Sequence, residues 1–295
     1  MSVISLPLVS VIIPTYNHAQ FLGRALQSVM EQTYTNWEAI VVDNHSKDNT
    51  DDVVNGFKDP RIRLLKIYNN GVIAASRNMG INGARGEWVA FLDSDDWWSA
   101  NKLQKCLENI NSEVDLIYHE LKIIRDSPAL FRRKTIKSWQ VKKPVLIDLL
   151  VRGNAIATSS VVIRKKLLDR IEGMDENINL VASEDYNTWL RIARLTNGFK
   201  YFPEIMGFYL LHDQGISRKD MSGSVRQAVS EFISILNEKQ KKKVESFIKY
   251  SSGRFHFVNG DFYLAKKDLL FSLKYGSLQI KVKSIVMLIL PDKLF

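Results

Sequence analysis

Through the first third of the chain, short β-branched runs alternate with stretches of helical apolar spacing. Val9-Ser-Val-Ile-Ile13 is a short β-branched run stopped by Pro14, which predicts a buried strand leading into a loop. Phe21 to Gln32 places Phe21, Leu22, Ala25, Leu26 and Val29 on one helical face. Trp37 to Val42 predicts a second strand, ending in Asp43. Ser46 to Phe57 resembles a capped helix, with Asp48, Asp51 and Asp52 near its positive end. Ile62 to Ile67 predicts a third strand, Gly71 to Ala84 a helix, and Glu87 to Leu92 a fourth strand. The alternation predicts an α/β fold with a mostly parallel, twisted sheet flanked by helices.

Ligands of such sheets bind at the carboxyl ends of the strands. Three of these ends are polar: Thr15-Tyr16-Asn17 after the first strand, Asp43-Asn44 after the second, and Asp93-Ser94-Asp95-Asp96 after the fourth.

The pattern loosens after Trp98. Residues 121–145 are basic and without clear periodicity, and read as a mobile or acceptor-facing segment. Thr158 to Ile163 predicts another strand, and Ser183 to Leu195 a helix with Glu184-Asp185 in its first turn. From Ser222 the chain reads as a helical extension, with Ala265 to Lys274 amphipathic. Trp97, Trp98 and Trp189 are expected to pack in the core before they stack on any ligand.

Charge adds an asymmetry. Residues 1–110 carry ten Lys/Arg against twelve Asp/Glu, whereas residues 111–295 carry thirty-one against twenty. An excess of this kind points to an anionic partner for the later part of the chain. Cys106 is the single cysteine, which excludes an internal disulfide framework and fits a reducing compartment. The N-terminus lacks the form of a signal peptide, so a cytoplasmic location is expected, with a peripheral position at the inner face of the cytoplasmic membrane as its extension.

The acids at 93–96 carry the chemistry. Three carboxylates this close repel one another, and they suit a hard divalent cation that shares its oxygen ligands with a substrate phosphate. One of the three is also expected to cap the helix that begins near Asn101. Gly80, Gly83 and Gly86 precede a strand, with no strand leading into them, so they are not a dinucleotide fingerprint.

Together, Val9-Ser-Val-Ile-Ile-Pro-Thr-Tyr-Asn17, the Asp43 region, Asn70-Gly71, Ser76-Arg77-Asn78-Met-Gly80 and Phe91-Leu-Asp-Ser-Asp-Asp96 resemble the family 2 inverting glycosyltransferases of GT-A fold, over roughly the first 215 residues. The resemblance implies a catalytic domain over residues 1–220. Residues 1–110 would be its nucleotide-sugar half and 111–220 its acceptor half, with a basic helical appendage over 221–295. It implies that Pro14, Thr15, Tyr16, Asp43 and Asn44 line the nucleotide base, with Arg77 near the base and diphosphate and Ser94 between the acids. Asp95 would hold Mg2+ or Mn2+, helped by Asp93 and His212. Asp185 of the Glu-Asp pair would be the catalytic base, in cell-surface polysaccharide synthesis.

One position departs from the family: its usual second acid after the second strand is Asn44. An amide carbonyl still accepts the N3–H of uracil, so a UDP-sugar donor remains the expectation. The Gln-x-x-Arg-Trp motif of processive members is absent, so single addition to a saccharide or polyprenyl-diphosphate-linked acceptor is expected.

Tyr275 to Phe295 mixes Lys with Ile, Val and Leu. It suits an anionic membrane surface, a face packed on the catalytic domain, or a homodimer partner. No nucleic-acid partner is expected. The rival readings are a nucleotidyltransferase, whose Gly-rich basic loop is missing after the first strand, and a non-catalytic nucleotide-sugar or nucleic-acid binder.

Overall fold

The computed structural model describes residues 6–125, 134–136, 138–212 and 220–289. The expectations for residues 126–133, 137 and 290–295 lie outside these. In chain order the elements are β1 (Val9–Thr15), α1 (Ala19–Met30), β2 (Trp37–Asp43), α2 (Thr50–Gly56), β3 (Ile62–Lys66), α3 (Ile73–Gly83), β4 (Trp88–Phe91), β5 (Trp97–Trp98), α4 (Lys102–Glu108) and β6 (Leu116–Arg125). There follow α5 (Val145–Arg152), β7 (Val162–Arg164), α6 (Lys165–Arg170), α7 (Glu184–Ala193) and β8 (Phe199–Leu211). The chain continues with α8 (Ser222–Val229), α9 (Glu238–Val258), α10 (Phe262–Tyr275) and α11 (Leu278–Ile289).

One eight-stranded sheet has the order β3-β2-β1-β4-β7-β6-β8-β5. Strands β1 to β4 are mutually parallel, as the sequence predicts, whereas β7 runs antiparallel to β4 and β6, and β5 antiparallel to β8. Both faces are covered, which is why β1, β2 and β4 are buried along their whole length and rich in apolar residues. Alternate residues of one strand enter opposite cores. Ile12, Ile40 and Val42 face α3, α5 and α7, while Val11, Ile13 and Val41 face α1, α2 and α4.

Three segments differ from their sequence patterns. The helix expected from Ser46 begins at Thr50, because the residues before it serve the loop. Ser46 donates to Asp43, the Lys47 amide donates to Asn17, and Asp48 accepts from the Ala19 amide that opens α1. Thr158–Ser160 is a 3-10 turn, and the expected strand starts only at Val162. The described ends of the 121–145 segment are ordered by packing: residues 121–125 belong to β6, Val141 is buried, and Tyr118 Oη donates to the Trp139 carbonyl. β6 pairs in parallel with β8, with register shifts between His119 and Leu121. Pro203 lies at that irregularity, where no ladder donor is needed, and it hides the strand from its sequence pattern.

None of the three acids caps α4. Its Leu103 amide donates instead to Gln32 Oε1, from the end of α1. The glycine-rich stretch after α3 is structural. A Cβ on Gly86 would lie 2.6 Å from the Leu8 carbonyl, and neighbouring Arg85 pairs with the buried Glu38.

Gly80 lets α3 approach β1, and a Cβ there would lie 2.5 Å from Ile12 Cγ2. Ile12 is fully buried and β-branched, so it cannot swing away. Gly80→Ala is therefore expected to lower unfolding free energy by about 1–3 kcal/mol, read from urea denaturation.

The C-terminal helices divide between two cores. Val225, Ala228, Val229, Phe232, Val244 and Ile248 join the main core, while Phe257, Ala265, Leu269 and Met287 form a small satellite. Among the described residues no helix is long and apolar enough to cross a membrane.

Candidate active site

The carboxyl ends of β1, β2 and β4 meet the start of α7 and the end of β8. Arg77 is the centre of this meeting. It projects from α3, is 2% exposed, and grips two carboxylates with one guanidinium: Nη2 donates to Asp93 Oδ1 at 2.8 Å and Nη1 to Glu184 Oε1 at 2.6 Å. The resemblance placed Arg77 at the base and diphosphate; in the structure its fork ties the acid cluster to the first turn of α7. Asn78, beside it, clamps the following loop, accepting from the Met174 amide and donating to its carbonyl. The Arg-Asn-Met-Gly run thus supplies a bridge, a clamp and a close approach within one helix.

The 93–96 acids divide their labour. Asp93 turns to Arg77, and its amide donates to Ser159 Oγ. Asp95 Oδ2 lies 2.9 Å from His212 Nε2, at the end of β8. Asp96 is buried and accepts from the Leu210 amide. Burial, with Asp95 and Asp93 beside it, pushes its carboxyl well above the usual range. Asp96 thereby pins β8 beneath the site.

Three or more His, Cys, Asp or Glu side chains do not converge as a metal-ligating group among the described residues. Without a metal, Asp93 Oδ1 accepts from Arg77, and Asp95 faces His212. The Asp95–His212 oxygen–imidazole pair suits Mg2+ or Mn2+, provided that a diphosphate and water complete the shell.

Asp185, adjacent to Glu184, accepts from Thr158 Oγ1 at 3.0 Å. Burial pushes its carboxyl up to about 7, the Glu184 charge adds to the rise, and Arg77 opposes it. Such a carboxylate is poised to take a proton near neutrality.

At the ends of β1 and β2, Pro14 pairs in register with Val42 inside the sheet, while Tyr16 is half exposed. The buried Thr15 Oγ1 has no partner among the described residues. Asp43 is fully buried, accepting from Ser46 and from Lys66 Nζ at 2.7 Å. Asn44 Oδ1 accepts from the Asn69 amide at 2.9 Å. This fixes the amide orientation: one lone pair of the carbonyl oxygen is engaged, and Nδ2 is available to read a ligand as a donor. His45 and Tyr68 stack at 3.7 Å beside it.

Some groups here carry no sequence signal of their own. His18 Nδ1 lies 3.0 Å from Ser94 Oγ, and its ring meets His212 edge-on. Its place directly after Thr15-Tyr16-Asn17, at a strand end, was the available clue. Thr158, partner of Asp185, was hidden in an apparent strand. The tryptophans pack as expected: Trp98 and Trp189 are buried, and Trp97 stacks on Phe208.

The glycosyl transferase family 2 profile matches residues 10–171, more than half of the chain and all three polar strand ends. The chain belongs to glycosyl transferase family 2. This glycosyltransferase is 33% identical over 192 residues to the Escherichia coli UDP-Glc:alpha-D-GlcNAc-diphosphoundecaprenol beta-1,3-glucosyltransferase WfgD, a match covering 64% of this chain and 71% of that one. Its fold is shared with Staphylococcus aureus TarS 1-349 in complex with UDP-GlcNAc, at TM-score 0.64 and 18% identity over 93% of this chain and 83% of that one. It is shared also with the Pyrobaculum calidifontis mannosyltransferase PcManGT in complex with GDP-Man and Mn2+, at TM-score 0.59 and 20% identity over 96% and 80% of the two chains. These similarities confirm the expected family and GT-A fold, with its sheet more mixed than the sequence indicates.

Proposed function

We propose that this glycosyltransferase moves a sugar from a UDP-sugar to a saccharide carried on a polyprenyl diphosphate, in one metal-dependent, inverting step. The observation that carries the reading is the Asp93–Arg77–Glu184 bridge. It holds a carboxylate of raised pKa, Asp185, in a fixed relation to the Asp95–His212 pair.

The attacking group is an acceptor hydroxyl, a weak nucleophile that needs a base on the face opposite the leaving group. Asp185 takes that proton as the hydroxyl oxygen bonds to the anomeric carbon, and the bond to the nucleoside diphosphate breaks. Backside attack inverts the centre, so an α-linked donor yields a β-linked product. A divalent ion held by Asp95 and His212 would offset the charge on the departing diphosphate. Asn44 Nδ2 donates to a carbonyl of uracil, and Thr15 supplies a hydroxyl nearby. The named activity of WfgD, β-glucosyl transfer from UDP-Glc to a diphosphoundecaprenol-linked sugar, supports both donor and acceptor classes. Residues 1–110 would serve the donor, with the base and His212 contributed by residues 111–220.

The test is a panel of UDP-, TDP- and GDP-sugars, each offered with a synthetic polyprenyl-diphosphate-linked N-acetylglucosamine. Transfer is expected from a UDP-sugar alone, and a GDP-sugar preference would overturn the base assignment. Excess EDTA is expected to stop turnover, with Mg2+ or Mn2+ restoring it; full turnover in EDTA would remove the metal. His212→Ala is expected to raise the metal concentration needed for half-maximal rate.

A further inference from the structure

Helix α11 is built the wrong way round for a helix at home in water. Leu278, Val282, Ile285, Val286 and Ile289 recur at helical spacing along one face, and that face is between 39% and 78% exposed. The side turned to the body carries Ser284, Met287 and the partly buried Leu288, and Lys283 rests over the Tyr250 ring. A surface helix ordinarily buries its apolar stripe and leaves its polar residues outside.

The neighbouring α10, packed against α9 and α11, repeats the theme. Its exposed positions Tyr263, Lys267, Leu270 and Lys274 follow one another along a single face, with Phe262 exposed at its start and Val258 at the end of α9. An outward apolar surface of this extent marks an interaction site.

Charge identifies the occupant. From Phe262 to Ile289 the chain has five lysines and one acid, Asp268. Asp268 is turned inward, accepting from Lys249 Nζ at 2.8 Å, so the exposed charged side chains within α10 and α11 are lysines. A two-fold contact between copies would set lysines against lysines, because a self-complementary interface meets its own charges. An anionic bilayer satisfies both features, taking the apolar stripe into the acyl boundary and the ammonium groups against lipid phosphates. Tyr263 has the amphipathic ring suited to that boundary.

We propose that the outer faces of α10 and α11 dock this enzyme onto an anionic phospholipid surface. The inference stands apart from the proposed reaction and survives if the donor or acceptor assignment fails.

The experiment is co-sedimentation of the full chain with vesicles of pure phosphatidylcholine and with vesicles enriched in phosphatidylglycerol. Partition into the phosphatidylglycerol pellet, weakened by high salt, is the expected result. The doubles Val282→Glu/Ile285→Glu and Lys274→Glu/Lys281→Glu should each lower it at least tenfold, with unchanged circular dichroism. These positions are at the surface, so folding is not at stake. Equal partition into both vesicle types would overturn the proposal. So would unchanged binding by both variants, or a dimer in sedimentation equilibrium that Val282→Glu/Ile285→Glu dissolves in the absence of lipid binding.

Discussion

Asp185→Asn is expected to lower kcat by roughly 10²–10⁴-fold while leaving the dissociation constant of the nucleotide sugar unchanged. The substitution is nearly isosteric, and its side-chain carbonyl still accepts from Thr158 Oγ1 as the carboxylate does. What it removes is the capacity to take a proton. Stability provides the control. The Asp185 carboxyl is raised from 3.8 to about 7 by burial first and by Glu184 second. The folded state therefore holds this proton more tightly than the unfolded state. The group's contribution is fully present below pH 4 and is lost as pH rises through 7. At pH 8 the Asn variant should unfold at the same or a higher urea concentration than the parent. In the parent, kcat/KM should fall tenfold per pH unit below an apparent pKa near 7, and the variant's residual rate should lose this limb. Substantial transfer by a folded Asp185→Asn enzyme would remove Asp185 as the base.

Arg77→Met is expected to cost about 3–5 kcal/mol of stability, because it strips the partner from a buried carboxylate. Glu184 is 7% exposed and would face Asp185 with no cation between Glu184 and Asp93. Catalysis should change in a direction that packing alone does not produce. Arg77 opposes the rise of the Asp185 pKa, so its removal makes that carboxylate harder to ionise. The acid limb of the rate profile should then move to higher pH. Arg77→Lys should recover only part of the loss, since one ammonium cannot span two carboxylates as a planar fork does. Adding Glu184→Gln to Arg77→Met should restore stability beyond the sum of the single effects, because the charge left unpaired is itself removed. Urea unfolding and pH–rate profiles of the parent, Arg77→Met, Arg77→Lys, Glu184→Gln and the double variant check each arm; an unmoved limb would reduce Arg77 to a packing residue.

The α/β class, the first four strands and their polar carboxyl ends were legible along the chain. A strand buried on both faces must be apolar over a contiguous run, and the acids at 93–96 stand where such a run stops. The same locality explains what was not legible. β8 is interrupted by Pro203, and its partner β6 lies some eighty residues earlier, so neither strand carries a clean pattern of its own. Thr158 sits in a β-rich stretch yet turns in a 3-10 helix beside Asp185.

By itself, then, the sequence determined where strands end, which of those ends are acidic, and that the chain resembles family 2 glycosyltransferases. Only the tertiary structure decided what each acid does. Arg77 meets Glu184 across 107 residues, Asp95 meets His212 across 117, and Asn44 turns its carbonyl to the Asn69 amide across 25. Hydrophobic periodicity is a property of neighbours along the chain, and it sets secondary structure. The partner of a charge or an amide is set by which strand ends the sheet gathers together. Packing on α9 and α10 likewise leaves the apolar stripe of α11 outward, although its periodicity alone would have suited a buried face equally well.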